Sequence, residues 1–141
     1  MENILLVDDD KDFLWLLKNL LACEGMTVLS SGTAEEALRE LRGKTFDLVI
    51  TDLDLPGLDG FALAQKALKL APGMPVIMIT GSIEPGISEL AKKVGIAAVL
   101  FKPFHPDKLF EVVKNIIKSQ INDVGRREPT NRQVNPKQGL P

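Results

Sequence analysis

Five short apolar runs punctuate the chain, at residues 4–7, 26–29, 48–50, 76–79 and 97–100. They are continuous rather than alternating, the pattern of strands covered on both faces, as in a parallel sheet. Longer amphipathic stretches separate them. Residues 11–24 set Leu14, Leu17 and Leu21 on one helical face, with Gly25 as a stop. Thr33-Ala34-Glu35-Glu36 is a capping box opening a second helix, which carries Ala37, Leu38 and Leu41 and ends before Gly43. Residues 59–71 carry Phe61, Ala64 and Leu68 up to Pro72-Gly73. Residues 84–94 carry Ile87, Leu90, Ala91 and Val94 up to Gly95, and Pro85-Gly86 gives this helix a weak, mobile start. Pro106 suits the first turn of a last helix, with Leu109, Val112, Val113, Ile116 and Ile117 as its apolar face.

The order is therefore (βα)5, an α/β fold whose crossovers must be right-handed. The pattern predicts one domain over residues 1–121. Residues 122–141 hold Pro129, Pro136 and Pro141, few large apolar residues, and four basic against two acidic side chains. They read as a flexible tail or a truncated linker.

Composition narrows the class. A chain of 141 residues, 45% hydrophobic and with a net charge of -2, can bury a core and has no basic field to draw it to nucleic acid. The single cysteine, Cys23, permits no intramolecular disulfide and suits a reducing cytoplasm. The acidic start and its four-residue apolar run predict neither a secretory leader nor a membrane span.

The chemistry gathers where the strands end. The first run ends in Asp8-Asp9-Asp10, the third in Thr51-Asp52, the fourth in Thr80-Gly81 and the fifth in Phe101-Lys102-Pro103. The carboxyl ends of parallel strands share one edge, and ligands bind in the crevice there. Four segments thus deliver carboxylates, a hydroxyl and an ammonium to one place, which suits a divalent cation and a phosphoryl group. Taken singly, each has a plainer reading. Asp8 and Asp9 can decorate a helix N-terminus, Asp52 can be a turn residue, Thr80 can reflect strand preference, and Lys102 can snorkel.

Together, Asp8-Asp9, Asp52 with Leu55-Pro56-x-x-Asp59-Gly60, Thr80-Gly81 and Lys102-Pro103-Phe104 resemble the receiver domain of two-component response regulators, over residues 2–121. The resemblance implies a flavodoxin-like three-layer sandwich, with a parallel five-stranded sheet of order 2-1-3-4-5. It implies phosphoryl transfer from a sensor histidine kinase or histidine phosphotransfer protein to Asp52, switching contacts with an output domain or target protein. It implies Mg²⁺ (or Mn²⁺) held by Asp8, Asp9, Asp52 and the backbone carbonyl of Asp54, with Thr80 and Lys102 binding the phosphoryl group. Asp54 and Ser82, each two residues past a key position, would tune the lifetime of the acyl phosphate. Trp15, off the apolar face of the first helix, would meet the phosphodonor. A homodimer is a further possibility by analogy. Such a protein is cytoplasmic and catalyses only its own phosphorylation and dephosphorylation.

One position departs from the pattern. Receivers usually carry Tyr or Phe three residues before the lysine, and here that residue is Val99, in a chain without tyrosine. This leaves open a receiver-like interaction module that is never phosphorylated. Asp52-Leu53-Asp54 also resembles the DxD motif of haloacid-dehalogenase-type phosphatases, although that motif normally follows the first strand and needs a cap and a distal acidic pair. Asp8, Asp10 and Asp12 have calcium-loop spacing, but Phe13 and Asn19 stand where that loop needs Gly and Glu.

Overall fold

The computed structural model describes residues 2–127, with side chains described through residue 121. Its elements run β1 (Asn3–Val7), α1 (Lys11–Cys23), β2 (Thr27–Ser31), α2 (Ala34–Gly43), β3 (Leu48–Asp52), α3 (Gly60–Leu70), β4 (Val76–Thr80), α4 (Ile87–Val94), β5 (Ala98–Phe101) and α5 (Pro106–Arg127). The strands form one parallel sheet of order β2-β1-β3-β4-β5, and the fold is flavodoxin-like, as expected. No described helix is long and apolar enough to cross a membrane.

The chain divides into two compact units, Met1–Phe110 and Glu111–Pro141. The first holds the sheet, α1 to α4 and the opening of α5. In the second, the described residues are the remainder of α5, which is helical to Arg127. That helix runs six residues past position 121, where the apolar pattern fades. The rest of the expected tail, residues 128–141, lies outside the described residues.

Within the first unit both sheet faces are covered. Leu5, Val7, Val49, Val76 and Met78 belong to a core cluster with Ala34, Ala37 and Leu38 of α2, Leu63, Ala64 and Ala67 of α3, and Ile87 and Ala91 of α4. The alternate residues Ile4, Leu6, Leu48, Ile50, Ile77 and Ile79 are as deeply buried, and so are Leu17 and Leu21 of α1 and Leu109 of α5. This double burial is why the strands read as unbroken apolar runs.

Local chemistry sets the helix ends. The Asp10 carboxylate caps α1, accepting from the backbone N–H groups of Asp12 and Phe13 at 3.0 and 3.2 Å. Thr33 caps α2 by accepting from Glu36 N at 3.1 Å, and Glu36 Oε1 accepts in return from Gly32 N at 3.1 Å, one residue earlier than a standard capping box would place it. His105 Nδ1 accepts from Asp107 N at 3.2 Å at the start of α5. Most boundaries differ from the sequence pattern by one or two residues, β3 for example running on to Asp52, and β2 and α4 have identifiable causes. β2 runs two residues further, to Ser31, because its pairing with β1 continues to Val7. α4 begins at Ile87 because Gly86, at φ 91°, is outside the helical region, and no side chain caps it.

Gly60 is a steric requirement. A Cβ built there would lie 2.5 Å from Asp52 O and 2.8 Å from Leu53 Cα. Its N–H donates to Leu53 O at 2.8 Å, which draws the start of α3 against the end of β3. Gly60→Ala is expected to lower unfolding stability by about 1–3 kcal/mol, as overpacking of a fixed backbone does. Chemical denaturation checks this; an unchanged midpoint would mean that the two backbones separate freely.

Candidate functional site

Strand register assembles the site. Val7 pairs with Thr51, so Asp8 and Asp52 lie side by side one residue further on, at the point where the strand order reverses between β1 and β3. Thr80 pairs with Phe101, so Lys102 leaves β5 beside Gly81. Backbone bonds continue the ladder past the strand ends: Asp8 N donates to Ser31 O at 3.1 Å, Leu53 N to Ile79 O at 2.9 Å and Lys102 N to Thr80 O at 2.7 Å. The peptide bond between Lys102 and Pro103 is cis.

Three carboxylates converge. Oxygen atoms of Asp8, Asp9 and Asp52 all lie within 4.8 Å of one another, with Asp8 and Asp52 buried and Asp9 exposed. The Lys102 ammonium lies 3.6 Å from Asp52 Oδ2 and 3.8 Å from Asp8 Oδ2. These are ion-pair distances, longer than a charge-assisted hydrogen bond. The ammonium also lies 4.4 Å from the centre of the Phe13 ring, and that ring meets Phe104 edge-on at 6.4 Å.

The electrostatics are unfavourable to the carboxylates as they stand. Burial pushes the Asp8 carboxyl up to about 6, helped by the charges of Asp52 and Asp9; the Asp10 N–H, donating at 2.9 Å, and Lys102 oppose it. Burial also raises Asp52, against the pull of Lys102 and of the Asp54 N–H. One ammonium therefore does not meet the charge of the group, and oxygen donors at this spacing fit a hard divalent cation.

The other expected residues take varied places. Thr80 is fully buried at the end of β4, and its Oγ1 accepts from Ser82 N at 3.0 Å, so the hydroxyl is fixed by the turn that follows. Asp54 is exposed, and its N–H lies 3.4 Å from Asp52 Oδ1. Val99 is half-buried on β5, and Phe101 is 45% exposed. Trp15 is 69% exposed, pointing outward as its spacing predicts. The third acid of the run, Asp10, caps α1. Sequence reasoning assigned no role to Phe13 or to the steric function of Gly60. Phe13 stands in the first turn of α1 and carries no signal of this contact in the sequence.

Comparison with known proteins agrees with this geometry. The chain matches the response regulator receiver domain family over residues 4–114 and belongs to it. It is 38% identical over 117 residues to the transcriptional regulatory protein GlrR of Escherichia coli (strain K12), covering 82% of this chain and 26% of that protein. It is 33% identical over 129 residues to the DNA-binding transcriptional regulator NtrC of the same strain, covering 92% of this chain and 27% of that protein. The chain thus spans about a quarter of the length of these curated relatives. Among solved structures, a CheY-like receiver domain protein from Methanospirillum hungatei JF-1 superposes with a TM-score of 0.84 at 36% identity, covering 87% of this chain and 98% of that one. A receiver domain from Clostridium thermocellum gives 0.80 at 32% identity, covering 85% and 97%. Receiver domains are signalling domains of two-component systems; the family binds Mg²⁺ at an acidic pocket and takes phosphoryl groups from histidine kinases.

Because Asp8 is raised in the folded protein, its carboxylate costs nothing below its ordinary value near 3.8, costs progressively more as pH rises from there to about 6, and costs the full amount above that. In chelator, Asp8→Asn is expected to stabilise the protein at pH 7.5, on the order of 1–2 kcal/mol after allowance for solvent at the sheet edge. The gain should shrink as pH falls through 6 and vanish near 4. Denaturation at three pH values checks this; a gain independent of pH would remove the electrostatic cause.

Proposed function

We propose that this chain is the phospho-accepting receiver of a two-component regulator, with Asp52 as acceptor. The observation that carries this reading is the meeting of Asp8, Asp9 and Asp52 within 4.8 Å, with the Lys102 ammonium 3.6 Å from Asp52. A buried carboxylate cluster costs stability unless it serves a cation. Asp8, Asp9, Asp52 and the backbone carbonyl of Asp54 would hold Mg²⁺ (or Mn²⁺). Bound there, the cation supplies the positive charge that offsets the carboxylates and the phosphoryl oxygens.

The chain's own residues do the rest. An Asp52 carboxylate oxygen attacks phosphorus of a partner's phosphohistidine. The N–P bond breaks, its electron pair returns to the imidazole, and the imidazole takes up a proton. The product is an acyl phosphate on Asp52. Lys102 and the Thr80 hydroxyl bind phosphoryl oxygens. In the reverse sense of the switch, water attacks phosphorus, the acyl O–P bond breaks, the carboxylate is restored and the proton leaves with inorganic phosphate. Asp54, exposed beside this path, sets its rate together with Ser82. Outward-facing Trp15 is the contact we assign to the phosphodonor's helices, an aromatic anchor of the kind enriched at interfaces. The cognate regulator acts in the cytoplasm through an output domain or target outside this chain.

A second reading, a receiver-like module that takes no phosphoryl group, has Val99 in its favour, since the usual aromatic is absent from β5. Incubation with Mg²⁺ and acetyl phosphate separates the two. Intact mass is expected to rise by one phosphoryl group, and Asp52→Asn or EDTA is expected to abolish the gain. No gain in folded wild-type protein would leave the second reading. Asp54→Asn is expected to change the dephosphorylation rate several-fold with phosphorylation little altered; an unchanged lifetime would end the role given to that side chain.

A further inference from the structure

We infer that Phe13 is a positioning residue that holds the Lys102 ammonium in reserve, away from tight pairing with Asp52. The inference rests on the phospho-acceptor reading above and extends it to a residue outside the acidic and phosphoryl-binding set. The ammonium is 4.4 Å from the Phe13 ring centre, within cation–π range. It is 3.6 Å from Asp52 Oδ2 and 3.8 Å from Asp8 Oδ2, beyond hydrogen-bond length to either. An unrestrained lysine next to two buried carboxylates should close to about 2.8 Å. The ring offers the ammonium a competing attraction without taking a proton from it, so the N–H donors stay available for an incoming anionic group.

The ring is itself held from two sides. Phe104, two residues after Lys102, meets it edge-on at 6.4 Å and 77°. The backbone N–H of Phe13 donates to the Asp10 carboxylate at 3.2 Å, and Asp10 N donates to Asp8 Oδ1 at 2.9 Å. One chain of bonds therefore ties the ring to the acidic loop, while the aromatic pair ties it to the loop that carries the lysine. The ring is set where both loops meet, and there it competes with Asp52 for the ammonium.

Two variants of the full chain separate this role from packing. Phe13→Leu keeps an apolar side chain and removes the ring; Phe13→Trp keeps a ring. Lysine ε-methylene signals are read by NMR in the metal-free protein, with Lys102 assigned by its loss in Lys102→Arg. In wild type the Lys102 signal should be shifted upfield of the other lysines by the ring current. Phe13→Leu should lose the shift, and Phe13→Trp should keep it. The initial rate of phosphorylation by acetyl phosphate should fall about three- to tenfold in Phe13→Leu and stay within about twofold of wild type in Phe13→Trp, with both variants folded by their thermal transitions. An unshifted Lys102 signal in wild type, or a shift that survives Phe13→Leu, would overturn the contact. A lost shift with an unchanged rate, or an equal fall in both variants, would overturn the positioning role. If wild type takes no phosphoryl group, the acceptor reading fails and this role with it, and the NMR arm still shows whether the ring holds the lysine.

Discussion

Everything at the sheet edge follows from placing two aspartates side by side at the ends of β1 and β3. The register that pairs Val7 with Thr51 leaves no choice about where Asp8 and Asp52 stand. The apolar runs behind them are buried on both faces, so neither strand can slide to relieve the repulsion without exposing its core residues. The hydrophobic layers thus hold a charge arrangement that would not persist by itself, and burial holds both carboxyls above their ordinary range.

The surrounding residues answer that constraint in different ways. Asp10 turns its charge to capping α1, and so fixes the loop that carries Asp8 and Asp9. Gly60 lets α3 start against the backbone of Asp52, which leaves the acceptor candidate no room to retreat into the loop. Thr80 has its hydroxyl set by Ser82 N. Lys102 brings positive charge to the cluster from ion-pair distance, shared with an aromatic ring. The site is stiff on its acidic side and has its adjustable element in a long lysine side chain.

Much of this was legible in the residues. Continuous apolar runs separated by amphipathic stretches defined five strands and five helices, because double burial erases the polar alternation of a surface strand. The acids and the lysine were legible because each follows an apolar run directly, and the parallel topology brings such ends together. What was hidden depends on three-dimensional approach. Gly60 has no local signature that separates a glycine under a strand end from one in a turn. Phe13 reads as an apolar residue in a helical first turn until β5 and the loop after it place Lys102 above its ring. The end of β2 was misjudged because Ser30 and Ser31 are polar, yet the ladder to β1 carries them as strand. α4 begins later than its apolar spacing suggests because Gly86 adopts a left-handed backbone.

The central claim is that the fold holds these carboxylates together against their repulsion for use by a cation. Its most direct test is the thermal transition of wild type and Asp8→Asn with and without Mg²⁺ at pH 7.5. A ligand that binds only the folded state at ten times its dissociation constant adds about 1.4 kcal/mol. Mg²⁺ should therefore raise the wild-type midpoint by a few degrees, and should leave the variant, already relieved of one charge, nearly unmoved. An unmoved wild type, or an equal rise in both proteins, would contradict the account.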